Sequence, residues 1–265
     1  MIESELTKRV AFHDEIAPRY DEYLTRSRSD ILARKAFVDL VSRYVPSDAT
    51  LLDFGSGTGL DALEYARRGY HILAYDNSPG MMAQLERRCR AEIASGSITP
   101  KLMDYESFLD SGMREPAPQA VVANFAVLNL IDEPEILFNT FARHLAPPGW
   151  IIISILNPVH WTKVRKLAWW RNALGKHGRP RVFLEQPYIA YLPFVSEVLR
   201  AANRFQLIGH AHAGKQVRFD PVSGNDGERI WWKNINLSPV EEALWHTTAH
   251  KLLGEFVFLV LRRDP

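Results

Sequence analysis

Apolar residues recur along this chain with two different periods, and the alternation between them lays out the fold. Residues 3–45 read as helical, with charged residues interleaved among apolar ones and breaks at Pro18 and around Arg26–Ser29. That region closes in LVSRYV, because Pro46 disfavours a helical residue before it. The period then shortens. ATLLDF is a compact apolar run ended by a glycine-rich turn, and LDALEYARR returns to helical spacing and stops at Gly69. The rhythm repeats through HILAYD (strand), MMAQLERRCRAEIA (helix), ITPKLMDY and AVVANFAVLNL (strands). A helix in EPEILFNTFARHL is closed by Pro-Pro-Gly, and WIIISIL is a fifth strand. Beyond Leu156, residues 157–192 fit no simple crossover. LPFVSEVLRAAN reads as a helix, and FQLIGHA and EFVFLVLRR as strands, while residues 213–250 look irregular around the turn cluster DPVSGNDG.

Strands alternating with helices at this spacing predict an α/β fold, a parallel sheet with helices on both faces. Right-handed crossovers then put each strand-to-helix turn on one edge, where such sheets bind ligands. The chain divides into an N-terminal helical segment (1–45), a core (46–156 and 193–265), a Trp-rich basic insertion (157–192) and a second insertion (213–250) within the core. At 265 residues and 30.3 kDa, with 46% hydrophobic and 24% charged residues, the composition is that of an ordinary globular protein. A net charge of +1 supplies no whole-molecule field for nucleic acid or an anionic membrane. The one cysteine, Cys89, excludes an internal disulfide framework. MIESELTKRV carries no apolar core of a secretion signal, and no apolar stretch is long enough for a membrane-spanning helix, so the expected location is the cytoplasm.

The chemistry concentrates in Asp53-Phe54-Gly55-Ser56-Gly57-Thr58-Gly59, between a strand and a helix. Glycines there permit left-handed backbone and close approach of a ligand. A dinucleotide fingerprint would need a third glycine where Leu60 stands, and a phosphate loop would need Lys and Ser or Thr where Leu60-Asp61 stand. Asp76 ends the next strand, about twenty residues on, where a carboxylate can accept from both hydroxyls of a ribose. Asp104-Tyr105 lies at the end of the third strand, where Asp104 can meet an adenine amino group or cap the helix beginning YESFLD.

The spacing G-x-G-x-G after an acid resembles the first motif of class I S-adenosylmethionine-dependent methyltransferases. Asp76-Asn77-Ser78-Pro79-Gly80-Met81 is similar to that family's ribose-and-adenine segment, and FHDEIAPRYDEYL to its opening helix. The resemblance, nearest to the ubiquinone- and menaquinone-biosynthesis branch, implies a Rossmann-like sheet of seven strands, mostly parallel, with the last strand antiparallel and cap insertions. It implies S-adenosylmethionine as methyl donor and S-adenosylhomocysteine as product. It also implies cofactor contacts from Tyr20, Asp53, Gly55, Ser56, Gly57, Gly59, Asp76, Asn77, Met81, Asp104, Tyr105, Asn124, Phe125 and Ala126. The expected acceptor is a small organic molecule methylated on O, N or C by in-line displacement, with no nucleic acid required.

Between Trp161 and Leu184 there is no acidic residue, while Lys163, Arg165, Lys166, Arg171, Lys176, Arg179 and Arg181 all fall inside. This stretch reads as a solvated basic face, or as a cap selecting an anionic acceptor. An RNA or protein methyltransferase using it, or a cofactor-binding module without catalysis, are the alternatives. His160, just beyond the fifth strand, is the one candidate base, set against a structural histidine packed on Trp161. His210 with His212, and His246 with His250, could pair but lack further ligands at a metal-binding spacing, so no metal is expected.

Overall fold

A computed structural model describes the chain except residues 1–3, 26, 112–116, 168, 171–181, 185–187, 223–227, 234–236 and 264–265. The N-terminal segment forms α1 (Glu5–Ile16), a 3-10 turn (Ala17–Arg19), α2 (Tyr20–Leu24) and α3 (Arg28–Tyr44). Ser4 and Ser27 cap α1 and α3 by accepting from the amides of Thr7 and Asp30. α3 is the helix that belongs to the core. Ala33, Ala36, Phe37, Leu40 and Val41 form one buried stripe at helical spacing.

The α/β region follows as β1 (Thr50–Phe54), α4 (Leu60–Arg67), β2 (His71–Asp76), α5 (Pro79–Arg88), α6 (Arg90–Ala94), β3 (Ile98–Leu102), α7 (Tyr105–Ser111), β4 (Ala120–Ala123), α8 (Pro134–His144) and β5 (Gly149–Leu156). Then come a short α9 (Trp161–Val164), β6 (Val182–Leu184), β7 (Ala190–Tyr191), a helix over Val195–Ala201, β8 (Gln206–Ala213), β9 (Gln216–Pro221) and β10 (Ile230–Lys233). Two short helices, Pro239–Trp245 and His250–Leu253, precede β11 (Phe256–Arg263).

One sheet takes the order β10-β9-β8-β11-β5-β4-β1-β2-β3, and β6 pairs with β7 apart from it. β1 to β5 are parallel neighbours, and β11 runs antiparallel between β5 and β8. Because both faces are covered, the central strands are apolar on both sides. Leu51, Ile152, Phe258 and Val260 point to the core shared with α3 and α4. Leu52, Ile151, Ile153, Val257 and Leu259 point to the core under α8. Pro100 is tolerated in β3 because that strand is the sheet edge.

The architecture is the expected Rossmann-like one, with a correction to the strand count. The sheet has nine strands among the described residues, because residues 216–221 and 230–233 add β9 and β10 where the sequence looked irregular. AVVANFAVLNL also differs from its reading as a continuous strand. β4 stops at Ala123, Phe125 and Ala126 take φ of 50° and 66°, and Val127–Leu130 is a 3-10 turn. No helix among the described residues is long and apolar enough to cross a membrane.

Candidate functional site

The strand order reverses between β1 and β4, and the crevice opens at their C-terminal ends. There the glycine turn folds back onto β2, with the amides of Gly55 and Ser56 both donating to the Tyr75 carbonyl at 2.9 and 2.8 Å. Gly57 turns through φ +54°, and its amide donates to Asp76 Oδ2 at 2.8 Å. The other oxygen of Asp76 accepts from the Ser78 amide at 2.9 Å. Burial raises the Asp76 pKa, and these amides oppose that rise. A Cβ on Gly57 would meet nothing closer than Tyr20 Cε1 at 3.9 Å, so this glycine faces open space beneath a tyrosine ring. Gly59 differs: a Cβ there would lie 2.8 Å from Leu85 Cγ, so its small size serves helix packing.

The resulting cavity has a volume of about 260 Å³. Its wall includes Tyr20, Gly55, Ser56, Gly57, Asp76, Asn77, Met81, Tyr105, Asn124, Phe125 and Ala126, so the structure brings together most of the residues expected to hold a cofactor. Ser56 Oγ in this wall is buried without a partner. Burial, with Tyr188 and Asp76 nearby, pushes the Tyr20 hydroxyl up to about 12, which keeps it a protonated donor. Asp53 and Gly59 lie behind the wall. Asp53 is fully buried, and burial beside Asp61 and Asp76 drives its pKa well up. Asp104 is outside the wall and exposed. Its carboxylate accepts from the Ser107 amide at 2.8 Å and the Ser107 hydroxyl at 2.7 Å, capping α7, and these bonds lower its pKa.

Two ties hold the N-terminal helices over the cavity. Asp14 on α1 accepts from the Gly80 amide at 2.7 Å and from the Ser78 hydroxyl at the start of α5. Asp21 on α2 accepts from the Thr58 hydroxyl and pairs with Arg88, which also donates to the Thr58 carbonyl. Behind the turn after β4, Asn129 donates to the Tyr191 carbonyl at 2.7 Å and accepts from the Leu156 amide at 2.9 Å, fastening β7 to the end of β5.

Several wall residues were not singled out from the sequence: Arg9 and His13 on α1, Arg34 on α3, Asp61 on α4, and Tyr188. Arg34 is paired with Asp61, which also accepts from Asn124 at 3.0 Å, and its guanidinium lies 4.4 Å from the Phe125 ring centre. His13 Nδ1 is 2.7 Å from the Arg9 carbonyl. A carbonyl only accepts, so Nδ1 carries a proton, and in the neutral ring the lone pair is on Nε2.

His160 lies elsewhere. It is buried at the start of α9, with Nδ1 2.7 Å from the Thr162 hydroxyl and its ring 6.2 Å from Trp161, and burial lowers its pKa. His210 and His212 share one face of β8, whereas His246 ends one short helix and His250 begins the next. Among the described residues no group of three or more His, Cys, Asp or Glu is arranged to hold a metal. Of the basic insertion, Arg165 and Lys166 are exposed, and Lys163 is held by the Asn157 carbonyl with burial pulling its pKa down to about 8. None of these three lines the cavity. Arg171, Lys176, Arg179 and Arg181 lie outside the described residues.

Comparison with known proteins agrees with this geometry. The sequence profile of a family described as "Methyltransferase domain" matches residues 22–186. A ubiquinone biosynthesis O-methyltransferase of Xylella fastidiosa is 30% identical over 123 residues, 45% of this chain and 47% of that protein. A demethylmenaquinone methyltransferase of Clavibacter sepedonicus is 29% identical over 163 residues, 58% of this chain and 61% of that protein. The chain spans about half the length of the curated relatives it matches. Among solved structures, an S-adenosylmethionine-dependent methyltransferase of Mesorhizobium loti superposes with a TM-score of 0.54 at 17% identity, over 90% of this chain and 99% of that one, which shows a shared fold. With more than half of its length matched by the family profile, and with a cavity walled by the glycine turn and Asp76, the chain belongs to the methyltransferase-domain family.

Proposed function

We propose that the chain is an S-adenosylmethionine-dependent methyltransferase acting on a small organic acceptor in the cytoplasm. The observation that carries this reading is the bond from the Gly57 amide to Asp76 in the wall of one cavity, under Tyr20. Asp76 accepts from the Gly57 and Ser78 amides on different oxygens, and a carboxylate has lone pairs beyond these with which to take ribose hydroxyls. Asn77, Met81 and Tyr105 form an adjoining part of the wall suited to the adenine. Arg34 and Asp61 present opposite charges, which suits the carboxylate and ammonium of an amino-acid end, and the unpartnered Ser56 hydroxyl offers one more bond. The relatives' names support a small-molecule acceptor.

When bound, the donor supplies a methyl group on a positively charged sulfur; the chain supplies position. Tyr20 covers the glycine turn, and the ties through Asp14 and Asp21 hold α1 and α2 over the cavity. An acceptor arriving as an alcohol or phenol must lose a proton. His13 is better placed than His160 to take it, since His13 lines the cavity and His160 does not.

Calorimetric titration with S-adenosylhomocysteine tests the reading. The wild-type chain should bind one equivalent, and Asp76→Ala and Gly57→Val should each weaken binding at least tenfold. Unchanged affinity in both variants would refute the assignment.

A further inference from the structure

Two arginines line the cavity, and only one has an ion-pair partner among the described residues. Arg34 has Asp61. Arg9 has no carboxylate partner among the described residues. Its guanidinium donates to the Leu130 carbonyl and stands 5.8 Å from the Tyr191 ring centre, while its Nε is buried with no partner. The nearby carboxylate on its own helix, Glu5, is already held by Lys8 at 2.7 Å and by the Ile189 amide at 3.0 Å. Asp14, further along α1, is taken by Ser78 and Gly80. Arg9 is half-buried at the cavity wall, and its guanidinium keeps charge and N–H donors that no carboxylate takes up, so it is arranged to meet a charge that arrives with a ligand.

The surroundings of Arg9 set what that ligand is. Leu130 lies in the turn after β4, and Tyr191 lies in β7. Neither belongs to the glycine turn or to the end of β2, where the adenosyl group is placed. Tyr188 leads into β7 and joins α1 through its ring, 5.2 Å edge-on from Phe12 and 5.6 Å from His13 at 31°. Arg9 and His13 are one helical turn apart on α1, and both line the cavity beside this aromatic wall. A planar body can lie on such rings, and a fork of N–H donors suits an oxyanion.

We infer that Arg9 receives the negatively charged end of the methyl acceptor, and that the acceptor is an aromatic oxyanion, a carboxylate or a phosphate ester. Selection for an anion therefore resides on the N-terminal helix, not in Lys163, Arg165 or Lys166 of the insertion. The inference rests on the reading of this cavity as a methyl-transfer site.

The test is calorimetry on protein saturated with S-adenosylhomocysteine, titrated with 4-hydroxybenzoate, phenyl phosphate and the neutral 4-hydroxybenzamide. The wild-type chain should bind one of the anions at least tenfold more tightly than the amide, and which anion wins separates carboxylate from phosphate. Arg9→Gln should erase the preference and leave S-adenosylhomocysteine affinity within twofold, and Arg9→Lys should restore part of it. Equal binding of amide and anions, no anion bound at millimolar concentration, or a preference that survives Arg9→Gln would overturn the inference. So would a tenfold loss of S-adenosylhomocysteine affinity in Arg9→Gln, which would assign Arg9 to the cofactor's own carboxylate. Failure of the wild-type chain to bind S-adenosylhomocysteine at all would defeat the methyltransferase reading instead.

Discussion

At Gly57 the backbone passes through left-handed space, and its amide donates to the Asp76 carboxylate instead of to a main-chain carbonyl. Gly57→Ala should therefore cost about 1 kcal/mol from backbone strain alone, read as a lower thermal midpoint. Arg34→Met should cost about 3 kcal/mol, because it strands Asp61 in a largely buried position, and Asp61→Asn in the same chain should recover part of the loss in urea unfolding. With an acceptor that arrives protonated, His13→Gln should lower kcat tenfold to a hundredfold, measured as methyl transfer under saturating conditions. The glycines, Asp76 and Tyr20 were legible in the sequence because local backbone geometry and a short motif specify them. Arg9, His13 and Arg34 were not. They stand among interleaved charges on helices, and only tertiary packing decides which charges turn inward.

At the scale of elements, β9 escaped the sequence reading because only Val217 and Phe219 carry its apolar alternation. Its polar face is covered too: Arg218 and Asp220 pair across from His212 and His210, Asp220 reaches His250, and Gln216 is buried. An alternation of two apolar residues that runs straight into the turn cluster DPVSGNDG is too short to mark a strand. β5 and β11, apolar on both faces, were legible throughout. The covered histidines make this side of the sheet acid-sensitive. His212 is buried, with the rings of His210 and His250 5.6 and 5.2 Å away, and Lys251 and Arg218 add like charge. Burial first, then these neighbours, pulls its pKa from 6.5 to about 3. The folded state then holds fewer protons than the unfolded state below pH 6.5, so the stability present above that pH is lost as pH falls towards about 3. The loss from His212 approaches about 1.4 kcal/mol per pH unit. Urea midpoints should drop between pH 7 and 5, and less steeply in His212→Leu; equal slopes would show that other groups set the acid limit.

Across the whole molecule, the two halves of the sheet meet at β11, which lies between β5 and β8. The parallel half carries the cavity, and the half from β8 to β10 is built on the far side of β11 from it. The N-terminal segment closes the cavity from above through Asp14 and Asp21. These carboxylates bond to the same turns, at Thr58 and at Ser78–Gly80, that flank the proposed adenosyl site. We expect α1 and α2 to act as a clasp on a ligand bound there, slowing its release. Asp21→Ala should raise the dissociation rate of S-adenosylhomocysteine in stopped-flow chase more than it changes its association rate. On the proposed methyl-transfer reading, turnover would be set partly by how long the clasp stays shut on spent cofactor, and a chain with a looser clasp would cycle faster while guarding its methyl donor from water less well.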